Sequence, residues 1–326
     1  MMELPKRPRR NRRSESIRTM LRETLLAPHH LVLPLFVQEG KNLATPIASM
    51  PGCSRLSPDL LLKEVRQAAD LGIQAIALFP CISEWLKDKL ASESKNPKGL
   101  IPSTVRLLKQ SFPKLTVITD VAMDPYSSDG HDGIYEKGEV LNDETLPALA
   151  EMAIVQAQAG ADYVAPSDMM DGRIGFIRRA LDKKGFMQTG ILSYAVKYCS
   201  ALYGPFRGAL DSAPRAGDKK TYQMDPANIR EALRETVLDV EEGADIVMIK
   251  PALPCLDVIA KIRERVDIPV AAYQVSGEFA MIRAAAHNGA FDEKAVILES
   301  LTAIKRAGAD LIFTYFAKAA AQLLGD

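Results

Sequence analysis

The sequence predicts an α/β fold, a (β/α)₈ TIM barrel that follows an extended N-terminal arm. The first observation is a weak internal repeat, in which a helical segment ends at a glycine and an apolar strand follows within a few residues. The second is the number of apolar strand-like runs, which reaches eight. The third is their strict alternation with amphipathic stretches, which favours a barrel. An open α/β sheet with a miscounted strand is the alternative.

Each element has its own signal. The repeat predicts four junctions between a helix and a strand, at residues 71–80, 159–166, 242–249 and 307–315. Four further runs are continuous and apolar, as strands covered on both faces are, at 31–37, 115–122, 188–195 and 269–275. Amphipathic stretches predict helices at 57–71, 142–159, 225–242 and 292–307. Ser57 and Asn142 are the expected helix caps.

Residues 1–28 do not fit the repeat, so we divide the chain into an N-terminal arm, residues 1–28, and a catalytic barrel, residues 29–326. The arm carries a dense run of basic side chains: Lys6, Arg7, Arg9, Arg10, Arg12 and Arg13. Such a run can neutralise the phosphates of a nucleic acid, but it is more often disordered or packed on another subunit. We expect the subunit contact, because the rest of the chain has no second basic patch.

Composition limits the classes of partner. The 326 residues are 47% hydrophobic and include 41 basic and 41 acidic side chains, so the net charge is zero. We therefore expect small-molecule partners, with no nucleic acid and no membrane. No apolar run reaches the roughly 18 residues of a membrane span, and the basic N-terminus lacks the apolar region of a signal peptide. Because four scattered cysteines also fit a reducing compartment, we predict a cytoplasmic protein.

The most informative residue is Lys250, which closes the apolar run 244–249. A lysine at the buried end of a strand loses hydration, which lowers its pKa from about 10.4 and leaves a neutral amine that attacks carbonyl groups. Considered alone, Lys250 is more simply a lysine that reaches solvent from the strand end. Lys197, after the fifth strand, supplies a second amine, unless it is a solvated loop lysine. Two amines in one dry pocket suit two carbonyl substrates.

Polar residues stand at the ends of six predicted strands: Asp120, Ser167 with Asp168, Lys197, Lys250, Ser276 and Tyr315. In such barrels the chemistry takes place where the strands end. One polar strand end means little, but six that converge on one mouth predict a functional site.

Two loops add to this site. In the first, residues 120–133, Asp120, Asp124, Asp129 and Asp132 offer hard oxygen ligands for Mg²⁺, and His131 could serve zinc, although an Asp-rich turn without a metal explains the same residues. The second, residues 203–223, is too long and turn-rich for a simple connection and predicts a lid. Its Arg207, Lys219 and Gln223 could bind a substrate carboxylate, and a solvated basic loop is the alternative.

Together these segments resemble the porphobilinogen synthase (5-aminolevulinate dehydratase) family over essentially the whole chain from the arm onward. The resemblance is carried by residues 120–133, 166–173, 193–198, 203–207, 220–226, 248–252 and 273–278. It implies the condensation of two 5-aminolevulinate molecules into porphobilinogen with loss of two waters, a step towards haem and chlorophyll. It also implies that Lys250 forms a Schiff base with the substrate that keeps the propionate side. Lys197 matches the lysine that binds the acetate-side substrate.

The resemblance implies roles for the other residues as well. Ser276 and Tyr315 match residues that hold the propionate-side carboxylate, and those holding the other carboxylate correspond to Arg207, Lys219 and Gln223. Asp120 and Ser167 match the pocket near the reacting amine, where Asp120 assists proton transfer. Asp168, at the same strand end as Ser167, is a further candidate substrate-binding residue. Family octamers, in which N-terminal arms wrap neighbouring subunits, imply a homo-octamer.

The resemblance also bears on metals. Zinc-dependent members have three cysteines where this chain has Ala122, Asp124 and Asp132, which implies the magnesium-type branch, with Mg²⁺ and no zinc. Asp124 and Asp132 are then candidate ligands of an active-site metal. Glu235 corresponds to the ligand of an allosteric Mg²⁺, although taken alone it is an ordinary helix glutamate.

Two other interpretations of the sequence compete with this one. A class I aldolase would need one Schiff-base lysine and a phosphate cradle after the last two strands, where Ser276 and Gly277 lack a glycine-rich partner next to Tyr315. A nucleic-acid-binding protein would work through the arm, which the neutral composition disfavours. Gly208 and Lys219 depart from the aspartate and arginine of many family members, so we expect looser carboxylate binding by the lid.

Overall fold

Eight parallel strands form a closed barrel in the computed structural model, which describes residues 4–325. Each strand pairs with the next, and the last pairs with the first through Leu31 opposite Ile312. This closure confirms the predicted (β/α)₈ barrel. The strands are β1 (Leu31–Gln38), β2 (Ala75–Cys81), β3 (Thr116–Val121), β4 (Tyr163–Pro166), β5 (Gly190–Lys197), β6 (Ile246–Lys250), β7 (Val270–Gln274) and β8 (Leu311–Thr314).

Helices surround the barrel and alternate with its strands. They are α1 (Glu15–Met20), α2 (Pro58–Asp70), α3 (Leu100–Ser111), α4 (Asn142–Ala159), α5 (Arg173–Lys183), α6 (Gly204–Leu210), α7 (Arg230–Glu241), α8 (Leu256–Arg263), α9 (Ser276–His287), α10 (Glu293–Ala307) and α11 (Ala317–Gly325). Two short antiparallel pairs lie outside the barrel, Ala44–Pro46 with Ser54–Leu56 and Ile134–Glu136 with Glu139–Leu141. Short 3₁₀ turns occur at Pro8–Arg12, Pro28–His30, Glu84–Leu86, Ser92–Lys95, Ala201–Tyr203 and Leu253–Cys255.

Two details differ from the predicted helices. Asn142 is not a cap: Leu141 precedes the first turn of α4, and the Asn142 amide donates to the Asp171 carbonyl instead. Helix α7 begins at Arg230 rather than 225, because the Asp225 carboxylate holds a turn by accepting the Ala227 N–H. Both differences reflect side chains that bond to backbone outside their own helix.

The internal repeat has a structural reason beyond its glycine. In three copies the aspartate two residues after the glycine accepts a backbone N–H from the first or second residue of the preceding strand. Asp162 binds Val117 at 2.8 Å, Asp245 binds Ile191 at 2.7 Å and Asp310 binds Val270 at 2.9 Å. The glycines themselves have φ between +104° and +119°, which L side chains rarely adopt. The repeat therefore ties each new strand to its neighbour at the amino end of the barrel.

The barrel strands are buried on both faces; β6, for example, has no exposed residue. Among the described residues no helix is long and apolar enough to span a membrane. The arm differs from the barrel, since α1 has no buried residue and Met20, Leu21 and Leu25 are exposed in the single chain.

Candidate active site

Nine of the residues predicted for the site line one cavity at the carboxyl end of the barrel. They are Asp120, Asp124, Asp132, Ser167, Lys197, Arg207, Lys219, Gln223 and Lys250. Four aromatic side chains complete the wall, Phe79, Tyr194, Tyr203 and Phe206. The cavity measures about 30 Å³, enough for one or two water molecules. A carbonyl substrate therefore enters only when side chains or the covering loop move.

The two lysines are neighbours because of strand register. Lys250 ends β6 opposite Lys197, which ends β5. Adjacent strands lie about 4.8 Å apart, so residues in register present their side chains at the same level of the barrel. The two amines thus face one cavity, as the strand ends predict.

Lys250 is only 5% exposed and sits among aromatic rings. Its Nζ lies 4.7 to 5.5 Å from the ring centres of Tyr194, Tyr203, Phe206 and Tyr273. Burial, followed by the positive charge of Lys197, lowers the pKa of Lys250 to about 7. Near neutral pH a large fraction of this amine is therefore neutral and able to attack a carbonyl carbon.

Lys197 has a different environment from Lys250. Its Nζ donates a close hydrogen bond to the Ser167 carbonyl and lies 3.5 Å from Asp132 Oδ1. Burial alone would raise the pKa of Asp132, but the charges of Lys197 and Lys219 hold that pKa well below its ordinary value. The pocket therefore contains one amine among aromatic rings and one amine paired with a carboxylate.

Asp120 lies beside both lysines with an unused oxygen. Its Oδ1 is buried and has no hydrogen-bond partner among the described residues. Burial, followed by the negative charge of Asp124, raises the pKa of Asp120 to about 7. A carboxyl group with a pKa near the working pH can both donate and accept a proton.

The residues predicted to hold an active-site metal do not fit one. Lys219 Nζ lies 3.3 Å from Asp124 Oδ2 and 3.0 Å from Asp132 Oδ2, where it takes the place of a cation between the two carboxylates. The ring nitrogens of His131 are bonded to Tyr222 Oη and the Ala216 carbonyl. No group of three or more potential ligands occurs within residues 4–325. A lysine of the lid therefore balances part of the charge of Asp124 and Asp132.

The predicted lid contains α6 and is held over the cavity by two basic side chains, Arg55 and Lys87. Arg55 donates to the carbonyls of Gly208 and Ala209 at 2.8 and 2.6 Å, at the carboxyl end of α6. Lys87, which is almost fully buried, donates to the Asp211 carbonyl at 2.8 Å. Cations suit the carboxyl end of a helix, where carbonyls lack partners. These contacts hold Arg207 of α6 against the cavity.

Three predicted substrate contacts lie outside the cavity wall. Ser276 Oγ accepts the Phe206 N–H of the lid at 3.0 Å, and Tyr315 Oη bonds to Tyr273 Oη at 2.9 Å, so both hydroxyls already have a partner within the protein. Asp168 points away: its Oδ2 lies 3.8 Å from Arg173 Nε, and its Oδ1 accepts the Met170 N–H. The structure therefore assigns Asp168 to a buried ion pair instead of the cavity.

Glu235, on α7, does not line this cavity. It lines a separate groove with Asp171, Glu231, Asp239 and Glu242, together with arginine side chains. Burial, followed by the charge of Asp239, raises the pKa of Glu235.

The sequence pattern of the delta-aminolevulinic acid dehydratase family matches residues 5–323. The chain belongs to this family. A chloroplastic delta-aminolevulinic acid dehydratase of Physcomitrium patens is 58% identical over 323 residues, which are 98% of this chain and 74% of the relative. The chloroplastic dehydratase of Oryza sativa subsp. japonica is 56% identical over 325 residues, 99% of this chain and 76% of the relative.

A solved structure is also similar to this chain. The delta-aminolevulinic acid dehydratase (porphobilinogen synthase) from Toxoplasma gondii ME49, in complex with the reaction product porphobilinogen, superposes with a TM-score of 0.97 at 52% identity. The match covers 98% of this chain and 92% of that chain. These matches confirm the predicted family, fold and activity, that of a porphobilinogen synthase. We therefore do not retain the two alternative interpretations, a class I aldolase and a nucleic-acid-binding protein.

The predicted cytoplasmic location is wrong by the same comparison, because these dehydratase relatives are named chloroplastic. The absence of a signal-peptide pattern and the scattered cysteines were the grounds for that prediction. Neither feature distinguishes the cytoplasm from a plastid interior.

Sequence reasoning missed the aromatic wall around Lys250 in this dehydratase. Tyr194, Tyr203, Phe206 and Tyr273 come from β5, the lid and β7, and each reads as an ordinary core residue. Arg55 and Lys87 were also missed, because they lie more than a hundred residues from the lid that they hold.

Proposed function

We propose that the two lysines of this porphobilinogen synthase have distinct tasks. Lys250 forms the imine with the propionate-side 5-aminolevulinate, and Lys197 binds the acetate-side molecule. The observation that supports this division is the contrast between the amines: Lys250 is enclosed by aromatic rings with a pKa of about 7, whereas Lys197 is paired with Asp132.

The proton transfers follow from the same geometry. The Lys250 amine attacks the C4 ketone, and the resulting carbinolamine loses its hydroxyl as water. Asp120, whose pKa is about 7, supplies the proton to the departing hydroxyl and takes one from nitrogen. Aromatic rings around Lys250 exclude bulk water that would hydrolyse the imine.

The substrate carboxylates are held by separate groups. Ser276 and Tyr315 hold the propionate-side carboxylate once the lid backbone releases the Ser276 hydroxyl. Arg207, Lys219 and Gln223 hold the other one, and Lys219 gives up part of its pairing with Asp124 when it does so. The buried Gln223 Oε1, without a partner among the described residues, gains one when a substrate ammonium or water enters.

Borohydride reduction in the presence of 5-aminolevulinate, followed by peptide mass mapping, tests the lysine assignment. We expect a reduced adduct on Lys250 and a second on Lys197. Lys250→Met should lose only the first adduct, and Lys318→Met, on α11 and outside the cavity wall, is the matched control. Absence of an adduct on Lys250 in the wild-type protein would contradict the mechanism.

Mg²⁺ fits Glu235 better than the active site. Mg²⁺ retains several waters and binds proteins through one or two carboxylates, which the groove of Glu235 and Asp171 offers. When bound there, the ion would neutralise the acidic groove and act allosterically, and no zinc is needed. Mn²⁺, a spectroscopic substitute, should bind the wild-type protein and lose affinity in Glu235→Gln. Equal Mn²⁺ affinity in both proteins would contradict this site.

A homo-octamer built through N-terminal arms is supported by the exposed apolar residues Met20, Leu21 and Leu25 and by the basic run before them. Native mass spectrometry of the full chain and of a chain without residues 1–13 tests this assembly. We expect an octamer that falls to a smaller species on truncation; an unchanged octamer would exclude the basic run from the interface. The names of the relatives support a plastid location.

A further inference from the structure

One buried carboxylate near the site has no role in the steps above. Glu278, in the first turn of α9, is 2% exposed. Its two oxygens accept three backbone N–H groups, from Ala252 at 3.2 Å, Leu253 at 2.7 Å and Val275 at 2.7 Å. Two of these donors follow Lys250 in the chain, and the third immediately precedes Ser276. Glu278 therefore joins the ends of β6 and β7.

The chain needs such a partner at this point. Pro251 follows Lys250 and has no N–H, so the strand ladder cannot continue through it. The next two N–H groups are turned to Glu278, and an unpaired buried N–H would cost about 1–3 kcal/mol. A carboxylate offers about four acceptor positions on two oxygens, whereas the single oxygen of an amide or hydroxyl side chain offers two. Burial raises the pKa of Glu278 to about 7, against the three N–H groups that oppose this increase.

We propose that Glu278 is a positioning residue for imine formation: its carboxylate fixes the distance between the Lys250 amine and the Ser276 hydroxyl. The proposal rests on the proposed function, in which these two groups hold the ketone and the carboxylate of one substrate. Glu278 does not line the cavity and acts through the backbone on either side of it. A displacement of about 1 Å between two such groups can reduce a rate about a hundredfold.

The test compares two ketones at Lys250 of the full-length protein. 4-Oxopentanoate carries the carboxylate that Ser276 would hold, and it cannot condense because it lacks an amine. 2-Pentanone replaces that carboxylate by a methyl group. The rate of borohydride trapping on Lys250 is measured by peptide mass mapping for each ketone, and the ratio of the two rates reports how well amine and carboxylate site are aligned.

In the wild-type protein we expect the oxo acid to react faster. Glu278→Gln places an amide NH₂ against an N–H donor, so at least one of the three bonds breaks. We expect the ratio of rates to fall about tenfold or more in this variant, towards the value of Ser276→Ala. Glu278→Asp keeps the charge on a shorter side chain, so we expect an intermediate ratio of rates. This variant also tests the proposal if Glu278→Gln does not fold.

Asp245→Asn is the matched control. Asp245 also accepts a backbone N–H, from Ile191 at 2.7 Å, but at the amino end of β5 and β6. Its loss should leave the ratio unchanged. A purely structural Glu278 would slow both ketones equally in its variants and leave the ratio as in the wild-type protein, which would overturn the proposal. Absence of any wild-type adduct on Lys250 would instead overturn the proposed function.

Discussion

Replacing Lys250 with methionine should abolish imine formation and yet stabilise the fold at neutral pH. In the folded protein, burial and then the charge of Lys197 lower the Lys250 pKa to about 7, whereas in the unfolded chain it is about 10.4. Between these two values the unfolded chain binds a proton that the folded protein does not. Folding stability at this residue therefore rises with pH through that window and is lowest below pH 7.

The size of the effect follows from the gap between the two pKa values. It corresponds to about 4 kcal/mol of destabilisation at pH 7, which fades as the pH approaches 10. Methionine fills the same space without charge, among rings whose centres lie 4.7–5.5 Å from the lysine nitrogen. We expect a net stabilisation of up to about 4 kcal/mol at pH 7.

Chemical denaturation of the wild-type protein and Lys250→Met, at pH 7 and at pH 9.5, measures this difference. We expect the variant to be more stable at pH 7 and the difference to shrink to about 1 kcal/mol at pH 9.5. Lys197→Met is the control of opposite sign, because it removes a partner of Asp132, 3.5 Å away. A Lys250→Met protein that is less stable at pH 7, or a difference independent of pH, would refute the reasoning.

Three further predictions concern the same site. The rate of imine formation at Lys250 should rise with pH and level off above about 7; a rise that continues to pH 10 would contradict the lowered pKa. Lys219→Met leaves Asp124 and Asp132 without their shared cation, so we expect a stability loss of about 3 kcal/mol and a new Mn²⁺ site by electron paramagnetic resonance. An unchanged Mn²⁺ count would argue against Lys219 as the internal cation. Arg55→Ala frees the carboxyl end of α6, so KM should increase several-fold with little change in kcat. An unaltered KM would show that Arg55 is not needed to hold the lid over the cavity.

The fold was predictable because its signals are local. Alternating apolar runs and amphipathic stretches give the eight strands, and the glycine before each repeat strand marks a helix end with positive φ. The aspartate of the repeat could be seen but not explained, because its partner lies on another strand. The predicted Asn142 cap was wrong because a side chain that can cap its own helix can equally bond to a distant carbonyl.

The site was only partly predictable. Nine of the residues expected there share one cavity, because each lies at the carboxyl end of a strand or in the loop that follows it, and parallel strands end on one side of the barrel. Asp168 follows a strand as well, but Arg173 draws its carboxylate away from the cavity. Asp124 and Asp132 were expected to be metal ligands from their residue type and from the family resemblance, whereas their charge is partly matched by Lys219, about ninety residues later in the chain.

The sequence by itself determined the barrel, the family and the two lysines, since periodicity, turn residues and motifs are properties of neighbouring residues. The tertiary structure decided the environment of each lysine. Lys250 owes its lowered pKa to burial among aromatic rings from several segments, and Lys197 is held by a carboxylate of another loop. Desolvation and charge act through space over a few ångströms, so they depend on which segments the closed barrel brings together.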